Sequence, residues 1–189
     1  VTAQVNGATH MGLDDIGALR SIPGLMIFEP ADVVTMKKLL PQVIYNGKPV
    51  YTRLLRKDAP VIYPEDAKLD LMHIEVPRKG NDVTLAASGI MVGIALQAAE
   101  ILEQDGVSAE VLHTIKPLDT DTLIWSVKKT GAAVTCDNHN VIGGVGSAVA
   151  EATAKYFPVP LEYVGTQDHF GEAAGQAYLL KKYHMTAED

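Results

Sequence analysis

Short apolar runs separated by polar caps organise the first third of the chain. Asp14 is placed to cap a helix reaching about Ile22, where Pro23-Gly24 stops it. Leu25-Met26-Ile27-Phe28 is an unbroken apolar run short enough for a fully buried strand. Asp32 is positioned to cap the next helix, in which Val33, Val34, Met36, Leu39 and Leu40 fall at helical spacing, and Val50 to Leu54 predicts another strand. Parallel strands are buried on both faces and need neighbours. Two of them cannot make a stable sheet by themselves, so residues 1–58 are expected to be the end of a larger domain.

Residues 59–81 gather Pro60, Pro64, Pro77 and Gly80 among charges, which is the chemistry of a linker. A regular alternation of strand and helix follows. Strands are predicted at Asp82 to Ala87, Ala109 to Thr114, Gly131 to Cys136 and Leu161 to Val164. Helices are predicted at Ile90 to Gln104, Asp119 to Lys129, Val145 to Tyr156 and Ala173 to Tyr183. In the first of these helices Ile90, Ile94, Ala98 and Ile101 mark one face, expected to pack on a sheet. The pattern predicts an α/β fold whose second domain, 82–189, has a mostly parallel sheet.

Composition narrows the function classes. Of 189 residues, 47% are apolar and 21% charged, which suits a soluble globular protein with a real core. The longest apolar stretch, Ala86 to Leu96, is about half the ~20 residues that cross a bilayer, so no membrane span is expected. Residues 1–68 hold 8 Lys/Arg against 7 Asp/Glu, and residues 69–189 hold 8 against 16, giving +1 and −8. An acidic second half without a basic stripe argues against nucleic acid. The near-neutral first part, with Arg53 and Arg56 close together, is the place for a small anionic substrate. The chain opens Val1-Thr2-Ala3-Gln4, with neither a secretory leader nor an initiator Met, and Cys136 is its single cysteine. A missing upstream portion and a cytoplasmic location are expected.

The chemistry concentrates in Asn6-Gly7-Ala8-Thr9-His10, followed by Asp14-Asp15-Ile16, Ile22-Pro23-Gly24 and Glu29-Pro30-Ala31-Asp32. Taken alone, His10 could equally be a loop histidine satisfied by local hydrogen bonds. Four further stretches lie downstream: Tyr51-Thr52-Arg53-Leu54-Leu55-Arg56, Ile115-Lys116-Pro117-Leu118-Asp119, Val141 to Ala148, and Asp168-His169-Phe170-Gly171-Glu172. In this order the set resembles the carboxy-terminal section of the transketolase family of thiamine-diphosphate-dependent enzymes. The resemblance implies the end of a pyrimidine-binding domain followed by a transketolase-type C-terminal domain. It also implies that His10 contacts substrate oxygens, that Asn6 bonds a substrate hydroxyl, and that Arg56, with Arg53, holds a sugar phosphate. Asn6 stands where the family usually has Asp, and an amide that both donates and accepts would alter the hydroxyl pattern it reads. Met11 replaces a frequent Gln.

Other candidates read as structural. Gly143-Gly144-Val145-Gly146 lacks the dinucleotide-binding spacing and is separated from its strand, so close helix packing is expected there. Cys136, Asp137 and His139 fall short of a zinc ligand set. His113 is expected at a strand end, and the loop at His169 is expected to be structural.

The resemblance further implies a two-carbon ketol transfer between sugars, or sugar phosphates, using thiamine diphosphate with magnesium. The family's diphosphate motif, G-D-G ending in Asn, is absent from the chain, as is the acid that activates the aminopyrimidine ring. Both cofactors would then be held mainly by residues outside it. This implies an N-terminal half or subunit as partner, a homo-oligomer, and no activity for the chain alone. Two alternatives stand beside this reading. One is a 2-oxoacid dehydrogenase beta subunit or deoxyxylulose phosphate synthase, and the other a non-catalytic dimerisation and docking module.

Overall fold

The computed structural model describes residues 4–56, 58–114 and 116–189. Val1, Thr2, Ala3, Lys57 and Ile115, the last part of one motif quoted above, lie outside the described residues. After two 3-10 turns, Gln4–Asn6 and Ala8–His10, come α1 (Asp15–Arg20), β1 (Met26–Phe28), α2 (Val33–Tyr45) and β2 (Val50–Thr52). Strands β1 and β2 pair in parallel, Ile27 opposite Tyr51. Then follow β3 (Glu75–Arg78), β4 (Val83–Ala87), α3 (Met91–Gln104), β5 (Ala109–His113), α4 (Thr120–Thr130), β6 (Ala133–Asn140), α5 (Val145–Tyr156), β7 (Leu161–Thr166) and α6 (Gln176–Lys182).

The larger sheet runs β3-β5-β4-β6-β7, parallel throughout except for antiparallel β3 at its edge. Successive residues of β4 serve opposite faces, as the period of two requires. Leu85 and Ala87 join Met91, Val92, Ala95 and Ala99 of α3 in one core, while Ala86 joins Leu123, Ile124 and Val127 of α4 and Val149 and Ala152 of α5 in the other. Strand β3 corrects the expectation of a linker over 59–81. Pro77 lies within it, and an edge strand tolerates the missing donor. The Ile90 stripe is corrected as well. The fully buried face of α3 is Met91, Val92, Ala95 and Ala99, whereas Ile90, Ile94 and Ala98 are partly buried and Ile101 is exposed.

The first segment is joined to the sheet by polar ties. Asp32 caps α2 by accepting from Thr35 N at 2.7 Å, with the Thr35 hydroxyl returning to Asp32 N, a complete capping box. Its other oxygen accepts from Ile62 N and Tyr63 N at 2.7 and 2.9 Å. Burial works against this carboxylate, yet those amides outweigh it and hold its pKa below the ordinary value. Asp14, by contrast, makes no side-chain capping bond to α1. Gly143, at φ 84°, lies so close to α1 that a Cβ on it would meet Gly17 Cα at 2.8 Å. Its carbonyl accepts from Arg20 Nε at 3.0 Å. The glycine run therefore packs helix against loop, as its sequence suggested.

Candidate active site

His10 is presented by a tight turn. Gly7 adopts φ 67°, a conformation natural to glycine, and its carbonyl accepts from His10 N at 3.1 Å. The next residues alternate in and out: Met11 and Leu13 are buried in the main core, and His10 is exposed. Met11 thus serves as an anchor of the loop. The Thr9 hydroxyl lies 2.8 Å from His10 Nδ1 and 3.3 Å from Asn6 O. Thr9 thereby engages the imidazole at Nδ1, whichever of the two atoms carries the proton.

A hollow of about 250 Å³ opens beside this loop, lined by His10, Tyr51, Thr52, Arg53, Arg56 and Asn138 among others. Three of the four sequence-proposed residues, His10, Arg53 and Arg56, therefore share one concavity. Asn6 is not in its lining and stands back along the loop. Arg56 is exposed.

Arg53 departs from the expected role of a substrate-binding arginine, because its guanidinium is engaged within the protein. Nε donates to Asp15 Oδ2 at 3.1 Å, Nη1 to Glu29 Oε1 at 2.8 Å, and Nη2 to the carbonyls of Gly12 and Asn138. Its side chain is 11% exposed. Burial disfavours its charge, but the Glu29 and Asp15 carboxylates more than compensate and raise its pKa above the usual arginine value. Tyr51 donates to Asp15 Oδ2 at 2.8 Å, and burial followed by that carboxylate pushes the phenol up to about 12.

Beneath Arg53 lies a buried acidic cluster for which sequence reasoning assigned no role. Glu29 Oε2 accepts from Ser88 Oγ at 2.8 Å, and the same hydroxyl lies 3.4 Å from Asp137 Oδ1. Asp137 Oδ2 accepts from Val145 N at 2.8 Å. Burial first and the Glu29 charge second raise the Asp137 pKa above the ordinary carboxylate value. The place is topologically defined. Ser88 follows β4 and Asp137 lies within β6 just beyond its pairing with that strand, in a sheet whose order reverses at this pair. In such sheets the crevice beyond the strand ends at the reversal is the usual ligand position; here Glu29 of the first segment fills it. Gly89 makes this approach feasible, since a Cβ there would sit 2.5 Å from Glu29 Oε1. A sequence signal existed: Glu29 and Asp137 each directly follow an apolar run predicted as a buried strand.

His139 and His113 are structural. His139 Nε2 accepts from Gly17 N at 3.2 Å. His113 is buried with Nε2 3.1 Å from Glu29 O and Nδ1 3.3 Å from the Tyr63 hydroxyl, and burial lowers its pKa. The Cys136 thiol is pushed up to about 12 by burial and the neighbouring Asp137, which makes it a poor nucleophile. His169 is exposed in its loop, next to Asp168, which accepts from Asn140 Nδ2 at 3.3 Å.

The described residues do not form a cradle for a diphosphate and its metal. Beside the hollow, Asp15 Oδ2 and Glu29 Oε1 are tied to Arg53, while Asp15 Oδ1 is buried without a hydrogen-bond partner, a single oxygen that does not make a metal's ligand set. In the glycine run, Gly143 N donates to Ser147 Oγ and Val145 N to Asp137, so these amides are already satisfied. A second hollow of about 300 Å³ lies on the far side of Glu29, walled by Ile16, Ile27, Leu118 and Val145. It contains none of the sequence-proposed site residues.

Residues 1–61 match the family model described as "Transketolase, pyrimidine binding domain", and residues 72–189 match "Transketolase, C-terminal domain". The chain belongs to the transketolase family. It is 45% identical over 191 residues to the 6-deoxy-6-sulfo-D-fructose transketolase subunit SqwH of Clostridium sp. (strain MSTE9), covering 100% of this chain and 59% of that one. It is 34% identical to a putative transketolase C-terminal section of Methanocaldococcus jannaschii, again over 100% of this chain and 60% of the relative. Among solved structures, a split gene transketolase described as an inactive beta4 tetramer superposes with a TM-score of 0.91 at 38% identity, over 98% of this chain and 61% of that chain. The chain therefore spans about three fifths of the length of these transketolase relatives. Among the described residues, no helix is long and apolar enough to cross a membrane.

Proposed function

We propose that this chain is the C-terminal part or subunit of a thiamine-diphosphate-dependent transketolase that moves a two-carbon ketol unit between sugars. The observation that carries the reading is the shared hollow, in which an exposed histidine ring and the exposed Arg56 face one polar space. His10 Nε2 hydrogen-bonds a sugar hydroxyl, and its ring orientation is set by Thr9 through Nδ1. Arg56 holds the anionic end of the sugar, a phosphate or a sulfonate, by the fork geometry suited to either. Asn6, four residues before His10 and outside the hollow's lining, bonds a more distant hydroxyl.

Thiamine diphosphate and magnesium come with an N-terminal half or subunit, because the sequence given carries no G-D-G diphosphate motif and most of the polar groups at the hollow are tied to one another. The cofactor supplies the electron sink for the carbanion, and this chain supplies orientation and proton handling at sugar oxygens. The relative that is named for a sulfosugar supports an anionic substrate, and the one described as an inactive beta4 tetramer supports the need for a second component.

The test is His10→Ala in the enzyme assembled with its cofactor-bearing partner. Turnover is expected to fall by ~10²-fold or more, the scale of a positioned acid/base group, and unchanged turnover would refute the assignment. Arg56→Ala in the same assembly should raise KM for an anionic sugar more than for its uncharged analogue. Equal effects on the two sugars would remove Arg56 from the binding site.

A further inference from the structure

We infer that Arg53, one residue of the same motif as Arg56, is a positioning residue that fixes the His10 loop and is not a ligand of the substrate anion. The inference rests on the reading of the hollow given above. Four of the five N–H donors of a guanidinium are directed at four separate pieces of backbone or side chain. Gly12 O lies two residues past His10, Asp15 opens α1, Glu29 follows β1, and Asn138 O belongs to β6.

One planar group thereby joins the catalytic loop to both sheets. The Leu13 carbonyl adds a second stitch by accepting from Asn140 N at 2.7 Å. Two carboxylates lie against the guanidinium and offset its charge, which leaves a single N–H and no two-pronged fork for a substrate anion. Arg56 carries no such burden and is exposed. The two arginines of Arg53-Leu54-Leu55-Arg56 thus divide the work: the first orders the loop, and the second meets the ligand. Glu29 completes the device. Its approach depends on the missing Cβ of Gly89 and on the Ser88 hydroxyl, which holds its outer oxygen at 2.8 Å.

The proposal is tested in the assembled holoenzyme with Arg53→Lys and Glu29→Gln, each followed by steady-state kinetics on an anionic sugar and by backbone deuterium uptake. Arg53→Lys keeps the charge and loses the fork; Glu29→Gln keeps the shape and loses the charge. Both variants are expected to lower kcat on the order of 10-fold, as misplacement of a catalytic group does, with KM within about twofold of wild type. Both should raise deuterium uptake over residues 10–15. The double variant is expected to be no worse than the poorer single one, because the two residues act as a unit.

A rise confined to KM, or unchanged uptake over residues 10–15, would overturn the positioning role. Should Arg53→Lys fail to assemble, Glu29→Gln alone decides, since it leaves all the arginines in place. If His10→Ala leaves turnover intact, the functional reading fails, while the uptake measurement still decides whether Arg53 orders the loop.

Discussion

Residues 4–56 and the five-stranded sheet that follows are built on different principles. The sheet buries apolar side chains on both faces, with α3 and α6 on one side and α4 and α5 on the other. The first segment has two strands of three residues each and a small cluster of Met26, Phe28, Leu39 and Leu71. Met11, Leu13, Ala31 and Val34 add it to the main core, and buried polar ties complete its order: Arg53 to Glu29, Asp15 and two carbonyls, Gly17 N to His139, and Asp32 to Ile62 and Tyr63. Apolar packing is tolerant of small shifts, whereas hydrogen bonds of fixed geometry are not. The region that presents His10 thus adds the more exacting kind of contact to the apolar anchors Met11 and Leu13.

The contrast can be broken most directly at Arg53. Arg53→Met leaves two buried carboxylates without their cation, a defect that costs about 3–5 kcal/mol. It should appear in denaturant unfolding as loss of the first segment before the sheet, and a single cooperative transition at wild-type midpoint would contradict the contrast. Within the sheet, Leu123→Ala opens a hole in a fully buried site and should cost about 2–4 kcal/mol. There the unfolding should stay cooperative, and separate loss of the first segment in this variant would blur the distinction.

The smallest effect is one of pH. Folding raises the Asp137 pKa above its unfolded value of 3.8. The stability this group contributes is therefore complete below about that pH and is lost as pH rises through the raised value. Asp137→Asn carries no such loss. Melting temperatures of variant and wild type measured between pH 4 and 8 should move in the variant's favour as pH rises, with the buried His113 contributing equally to both. Parallel curves would show that Asp137 titrates normally.

The alternation of strand and helix from residue 82 was legible in sequence because each element carries its own period and punctuation. Three departures have physical causes. Helix α3 has apolar residues on nearly every side, so periodicity alone cannot select its buried face. Strand β3 lies in a proline-bearing stretch and pairs on one edge only, so nothing local distinguishes it from a linker. Strand β6 extends to Asn140, past the predicted end at Cys136, because tertiary partners satisfy its polar end. The site was legible in part. His10 and Arg56 stood out by type and motif, whereas the roles of Glu29, Ser88 and Asp137 depend on an encounter between segments some 50 to 110 residues apart.

Asp32 has a consequence for how this architecture can vary. By gripping Ile62 N and Tyr63 N, its carboxylate re-anchors the chain just after it leaves Arg56. Extra residues inserted ahead of Ile62 would bulge outward without changing the register downstream, at an entropic cost of only about 0.6 kcal/mol per doubling of loop length. The joint between the two halves is therefore free to drift in length over evolutionary time, while the hollow at His10 and its scaffold keep their mutual alignment.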